Sequence, residues 1–337
     1  MLPMESISAV LNCYTGLGPL RQVSYLANAG GFSGSQLWRI EREAGDLCLR
    51  RWPKEHPSAD QLWFIHNVLR TLGESELGCI PVPMWNKTKG KSFILHDEHF
   101  WELTPWLPGR ADFQETPSRD RLANAMKTVA RIHHVSQSRY PGRFEQSPTV
   151  HSRRDQLQRL MTGEADQIAA AVERHPSPAL RVRGRALLAH FDRRAPLVAV
   201  KLAKASAVSV PLFPVIRDLW HDHVLFTGDE VTGIVDFGAM RVDSAACDLS
   251  RLLGSLVGND RKAWEFARQA YNGVRPLSED EWKQAQSLDE ANVILAGLNW
   301  LDWICVQGRT FEIYDAVYAR LDEMLLRLES QGTLPPA

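Results

Sequence analysis

Hydrophobic positions change their spacing along the chain, and the changes divide it. Near-alternating runs at 35–41 and 46–52, separated by Arg42-Glu43-Ala44-Gly45, predict two strands joined by a tight hairpin. From 59 to 72 apolar residues recur at helical intervals, with Leu62, Ile65, Leu69 and Leu72 on one side and Gly73 as the stop. Further strands are predicted at 92–96 and 99–104. A glycine-rich stretch, a hairpin, a helix and a second hairpin make a small mixed lobe over residues 1–104.

Pro105, Pro108 and Gly109 then break the pattern, because two prolines and a glycine cannot continue a ladder and instead give a stiff connector. The lobe boundary is placed at 105–110. Helical spacing is predicted at 121–134, 155–172, 180–191, 245–257, 262–271, 289–306 and 314–328, so residues 111–337 read as a mainly helical lobe. Short apolar strand runs at 212–218, 224–226 and 231–236 interrupt it. The fold class expected is α+β, with a small sheet lobe followed by a larger helical one.

Composition narrows the function. The 337 residues are 44% hydrophobic, which suits a packed core, and the formal net charge of −1 gives no global field for nucleic acid or a membrane. Five cysteines without C-x-x-C spacing read as buried thiols in a reducing compartment. The start carries no basic-then-apolar leader and no long uncharged apolar run follows, so a soluble, cytoplasmic protein is expected. The arginines crowded between 110 and 194 read as a solvated face.

Chemistry concentrates in two runs, Ile216-Arg217-Asp218-Leu219-Trp220-His221-Asp222-His223-Val224-Leu225-Phe226 and Gly233-Ile234-Val235-Asp236-Phe237-Gly238. Asp218 ends one apolar strand and opens a polar loop, a position from which a carboxylate can accept a hydroxyl proton. Asp236 follows another, where a hard oxygen ligand suits magnesium. Between them Thr227-Gly228-Asp229-Glu230 has the form of a hairpin turn that would bring both carboxylates to one cleft. Phosphoryl transfer needs these parts, since the protein mainly positions the acceptor and neutralises charge.

The region 214–253 resembles the catalytic region of the aminoglycoside phosphotransferase and choline kinase-like family, which shares the protein-kinase fold. The matching positions are Asp218, Leu219, Val224, Leu225, Gly233, Ile234, Asp236, Phe237, Asp248 and Leu249. The resemblance extends in order over roughly 20–330. It implies a kinase that uses ATP and Mg2+ to phosphorylate a small-molecule acceptor, with GTP as the other donor open. By the same resemblance Asp218 is the catalytic base, Asp236 a metal ligand, and Gly30, Gly31, Ser33 and Gly34 the cover over the phosphates. Arg50 takes the place of the phosphate-binding cation, and 102–109 that of the hinge over the adenine.

Four positions depart from the family pattern. Arg50 replaces the usual lysine, keeping the charge in a forked form. Ile65 stands where a glutamate should pair with that cation, with Glu74 or Glu76 as substitutes, and Ile216 replaces a histidine before Asp218. His223 replaces an asparagine and offers nitrogen, which zinc, manganese (Mn2+) or iron prefer to a greater degree than magnesium; two roles are open, a metal held by His221, Asp222 and His223 together, or a hydrogen bond from His223 to Asp218. Two other readings follow: a catalytically inactive nucleotide-binding module, and an active enzyme with an altered metal. Trp300 and Trp303 are read as core packing. The acceptor is expected to be neutral or anionic rather than an aminoglycoside.

Overall fold

A computed structural model of the chain describes residues 4–26, 34–75, 77–88, 90–311 and 314–330. In chain order its first elements are α1 (Met4–Leu11), β1 (Leu20–Tyr25), β2 (Gln36–Arg42), β3 (Leu47–Arg51), α2 (Ala59–Gly73), β4 (Phe93–His96), β5 (His99–Pro105) and α3 (Arg119–Arg139). Then come β6 (Phe144–Gln146), α4 (Pro148–Arg159), α5 (Ala165–Arg174), α6 (Pro178–Ser206), β7 (Ser209–Pro211), β8 (Phe213–Val215), β9 (Val224–Thr227), β10 (Glu230–Ile234) and β11 (Arg241–Asp243). The last are α7 (Ala246–Val257), α8 (Arg261–Asn272), α9 (Glu279–Leu301) and α10 (Tyr314–Ser330). The chain separates into two compact units, Met1–Arg139 with His221–Met240, and Tyr140–Trp220 with Arg241–Ala337.

The first unit is built on a five-stranded antiparallel sheet in the order β1-β2-β3-β5-β4. Alternation puts Trp38 and Ile40 of β2, Leu47 and Leu49 of β3, and Trp101 and Leu103 of β5 into one buried cluster with Ile7, Val10, Leu11 and Tyr14 from α1 and the residues after it. Each large apolar side chain buried in this way contributes about 1.5–3 kcal/mol. The opposite face carries the polar members of the same strands, among them Arg50 and Glu102, which are direct cross-strand partners. Ser58 caps α2 by accepting from Gln61 N.

The segment returning to this unit, His221–Met240, contains the hairpin of β9 and β10. Its turn is the one expected at Thr227–Glu230, and Gly228 there takes φ +59°. Arg110 and Phe226 exchange two backbone hydrogen bonds at 2.9 Å, and Ile234 N donates to Cys79 O at 2.8 Å. The hairpin is therefore stitched to the segment following β5 and to the loop after α2.

The second unit holds the long helices α6 and α9, which pack along each other, with α4, α5, α7, α8 and α10 around them. Gly297 on α9 lets Leu187 of α6 come against the backbone, and Gly184 on α6 does the same for Val172 of α5. Ser278 and Glu281 form a capping box at the start of α9. Two strand pairs, β8 with β11 and β6 with β7, run among the helices.

Several expectations are corrected. The run 212–218 is strand only over β8, pairing with β11, because the chain turns at Arg217 with φ +68°. The helix expected at 155–172 is broken at Gly163, φ +135°, into α4 and α5. The helix at 180–191 continues through Pro196 to Ser206, held by the buried side chains of Ala195, Val198 and Leu202. The last long helix starts ten residues earlier than 289, at its capping box. The arginines between 110 and 194 are not one solvated face: Arg121 is buried over the Phe226 ring and bonded to Asp112 and Thr116. Trp300 is buried and packs edge to face at 5.3 Å against Trp303, which is only half-buried and so lies at the margin of the core.

Candidate active site

The sequence-predicted residues fall into both units. In the first, β3 presents Arg50 and the end of β10 leads to Asp236. Arg50 Nη1 donates to Asp236 Oδ1 at 3.0 Å. His223, in the short helical turn before β9, puts Nε2 3.8 Å from Asp236 Oδ2. Burial works to raise the Asp236 pKa, but Arg50 and then His223 outweigh it and hold the carboxyl below its usual range. Asp236 itself adopts φ +62°, a left-handed backbone that a residue with a side chain occupies only under constraint. Gly238 supplies the room for this turn, since a Cβ there would stand 2.9 Å from the Trp52 ring. Trp52 in turn underlies the Arg50 guanidinium at 4.5 Å.

Arg50 has a second partner that the sequence reading missed. Its Nε lies 3.9 Å from Glu102 Oε1. His66 Nε2 donates to the other oxygen of Glu102 at 2.7 Å, and His66 Nδ1 meets Ser92 Oγ at 2.8 Å. Burial raises the Glu102 pKa, yet the His66 hydrogen bond and the charges of His66 and Arg50 hold the carboxyl below its ordinary value. The expected loss of the cation's acidic partner is thus corrected. Ile65 is buried in α2 and makes no pair, while a glutamate on the adjoining strand takes the part. Glu74 serves as the C-cap of α2, and Glu76 lies outside the described residues.

Of the residues expected over the phosphates, Gly34 precedes β2 with φ +75°, a conformation suited to glycine. Gly30, Gly31 and Ser33 lie outside the described residues.

In the second unit, Asp218 follows β8 on a half-buried loop, and Arg251 Nε donates to Asp218 Oδ1 at 2.5 Å. The loop is held from α7: Asp248 Oδ2 accepts from Ile216 N at 2.9 Å, and its Oδ1 accepts from Arg217 N at 2.5 Å. Ile216 is fully buried. The support expected from a histidine at that position comes instead from a helix carboxylate gripping the backbone. Asp243, also buried, accepts from Ser147 Oγ at 2.5 Å and Thr149 Oγ1 at 2.7 Å, tying β11 to the start of α4.

A model of the phosphotransferase enzyme family matches residues 24–287. The chain belongs to that family. This phosphotransferase-family protein is 26% identical over 309 residues to a homoserine kinase of Gluconobacter oxydans, a match covering 90% of this chain and 89% of the relative. Among solved structures it is similar to a spectinomycin phosphotransferase in complex with ADP and spectinomycin, with TM-score 0.67, 12% identity and 99% of each chain covered. A choline/ethanolamine kinase family protein of Mesorhizobium loti gives TM-score 0.57 at 20% identity, covering 99% of this chain and 92% of that one. The fold is protein-kinase-like, with an antiparallel sheet part and a helical part, and the resemblance to aminoglycoside phosphotransferases and choline kinases holds.

Within this family member, the Asp248 that matched the motif by position also acquires a physical task, the grip on the loop before Asp218. Among the described residues no helix is long and apolar enough to cross a membrane.

Proposed function

We propose that the protein transfers the γ-phosphoryl group of ATP to a hydroxyl of a small molecule. The observation that carries this reading is the Asp236 carboxylate, on a left-handed backbone, between Arg50 and His223. A carboxylate held ionised beside a buried cation is the arrangement a nucleotide's phosphates and their metal require. ADP in the spectinomycin phosphotransferase structure supports a nucleotide as the donor.

The donor set fits a magnesium ion that arrives with the phosphates. Magnesium is commonly held by one or two carboxylates plus phosphate oxygens rather than by an all-protein cage. Among the described residues no three His, Cys, Asp or Glu side chains converge as such a cage, and Asp236 is the hard ligand offered. When bound, the ion neutralises charge developing on the transferred group. His223 offers a nitrogen, which shifts the preference toward manganese.

Arg50 meets the phosphate oxygens through its fork, and Glu102 with His66 fixes its orientation while Asp236 turns to the metal. Gly30, Gly31, Ser33 and Gly34 cover the phosphates, and the connector at 105–110 marks the lobe boundary, with the adenine lying against 102–109. Asp218 accepts the proton of the acceptor hydroxyl. Homoserine, named in the Gluconobacter relative, is the first acceptor to test.

Calorimetric titration of ATP with magnesium, with manganese and with neither, repeated on Asp236→Ala, tests the reading. Metal-dependent binding lost in the variant supports it. The absence of ATP binding with either metal would overturn it.

A further inference from the structure

Around Asp218 the second unit gathers more guanidinium groups than its carboxylates use. Arg251 bonds Asp218 through Nε, and among the described residues neither of its Nη nitrogens has a hydrogen-bond partner. The Arg217 guanidinium makes no hydrogen bond to a described residue, and its Nε stands 4.0 Å from Asp243. That carboxylate is already taken by Ser147 and Thr149, and Asp248 is taken by two backbone amides.

Arg153 on α4 is the informative member. It is part-buried, and its partners are two neutral amides: Nε donates to Asn292 Oδ1 at 3.1 Å and Nη1 to Gln156 Oε1 at 3.1 Å. Among the described residues no carboxylate pairs with it. Burial first, then the charges of Arg251 and Arg217, hold its pKa below the usual guanidinium range, while Cys247 and Asp218 pull the other way. A part-buried cation oriented by amides and pushed by other cations is expensive unless an anion joins it. The two amides occupy Nε and one N–H of Nη1. What remains is the end of the fork, one N–H on Nη1 and two on Nη2, whose spacing suits the two oxygens of a carboxylate.

We propose that the phosphoryl acceptor carries a carboxylate as well as its hydroxyl, and that Arg153, assisted by Arg217 and Arg251, is the residue that selects it. This rests on the phosphotransfer reading for what happens to the hydroxyl, but the carboxylate subsite is a binding property that can be measured without nucleotide. Arg251 links the two functions: it holds Asp218 through Nε and offers its Nη groups to the arriving anion, so that the acceptor is drawn toward the base.

The test is calorimetric binding, then turnover with ATP, for homoserine and other hydroxy acids of three to six carbons. These are set against 3-amino-1-propanol, which keeps the amine and hydroxyl of homoserine without its carboxylate, against glycerol 3-phosphate, and against spectinomycin. At least one hydroxy acid is expected to bind, with 3-amino-1-propanol weaker by about 30-fold or more, the loss that accompanies removal of one charged hydrogen-bonding partner. Arg153→Gln should raise KM for the hydroxy acid by about 10–100-fold while kcat and the KM for ATP stay within about threefold, and Arg153→Lys should recover part of the loss. Thermal melting of both variants separates a folding defect from a binding one.

Equal binding with and without the carboxylate, a preference for the phosphate ester or for spectinomycin, no hydroxy acid bound, or an unchanged KM in a folded Arg153→Gln would each overturn the proposal. If ATP fails to bind while a hydroxy acid binds through Arg153, the phosphotransfer reading falls and the carboxylate subsite stands.

Discussion

Arg50 Nη1 lies 3.0 Å from Asp236 Oδ1, so the cation proposed for the phosphates and the carboxylate proposed for the metal neutralise each other before either meets a ligand. Both side chains are largely withdrawn from solvent, with relative exposures of 14% and 26%. Each therefore offsets a desolvation cost that neither could carry alone. Binding of a metal nucleotide would replace one pair by two, Arg50 with phosphate and Asp236 with the cation.

Replacing Arg50 by alanine leaves Asp236 and Glu102 buried without their shared cation. Loss of one member of a buried pair costs about 3–5 kcal/mol, and the binding of ATP should weaken at least tenfold. Arg50→Lys should retain most of the stability and part of the affinity. Chemical denaturation and calorimetry on the two variants check both statements.

Acid should weaken the first unit through Glu102 and Asp236. Both have folded-state pKa values below their ordinary ones. Their stabilisation is therefore complete above the unfolded pKa, near 4, and is lost as the pH falls through the lower folded value. Glu102→Gln should be destabilised relative to the parent at pH 7, and the gap should narrow steadily below about pH 4. A gap that stays constant from pH 7 to pH 3 would refute the coupling.

His223 faces Asp236 with a ring nitrogen where the family carries an amide oxygen. The ratio of manganese-supported to magnesium-supported kcat/KM should fall by at least about threefold in His223→Asn. An unchanged ratio would remove His223 from the proposed metal ligands.

Gly254 on α7 is a packing requirement of the second unit. A Cβ there would collide with Asp289 Oδ1 and crowd the Arg327 guanidinium at 2.9 Å. Arg327 Nη2 reaches both Asp289 oxygens, at 2.6 and 2.7 Å. Gly254→Ala should cost about 2–4 kcal/mol despite its better helix propensity, because it prises apart a buried ion pair. Thermal denaturation decides the sign.

Much of the sheet was legible because β2, β3 and β5 alternate and one face is buried. By contrast β1 is exposed along most of its length and α1 is a two-turn helix, so neither carried the periodic signal that marks a core element. Pro196 illustrates a local rule overruled by packing: the residues around it bury a continuous apolar side, and the helix continues. Asp218, Asp236 and Arg50 were singled out from strand ends and motif order. Glu102 was passed over as part of the connector, since its meeting with Arg50 depends on the pairing of β3 with β5, which no single-strand pattern reveals. Arg153 was hidden among arginines whose burial differs one from the next.

The grip of Asp248 on the amides of Ile216 and Arg217 binds the fate of a loop to that of a helix. Two consecutive N–H groups end on one side chain in the first turn of α7, so neither can exchange its hydrogen with water until that turn frays or the carboxylate lets go. The residues leading to Asp218 are thereby coupled to the opening of that turn, so a segment of irregular backbone is expected to exchange with a helix end rather than as a loop on its own.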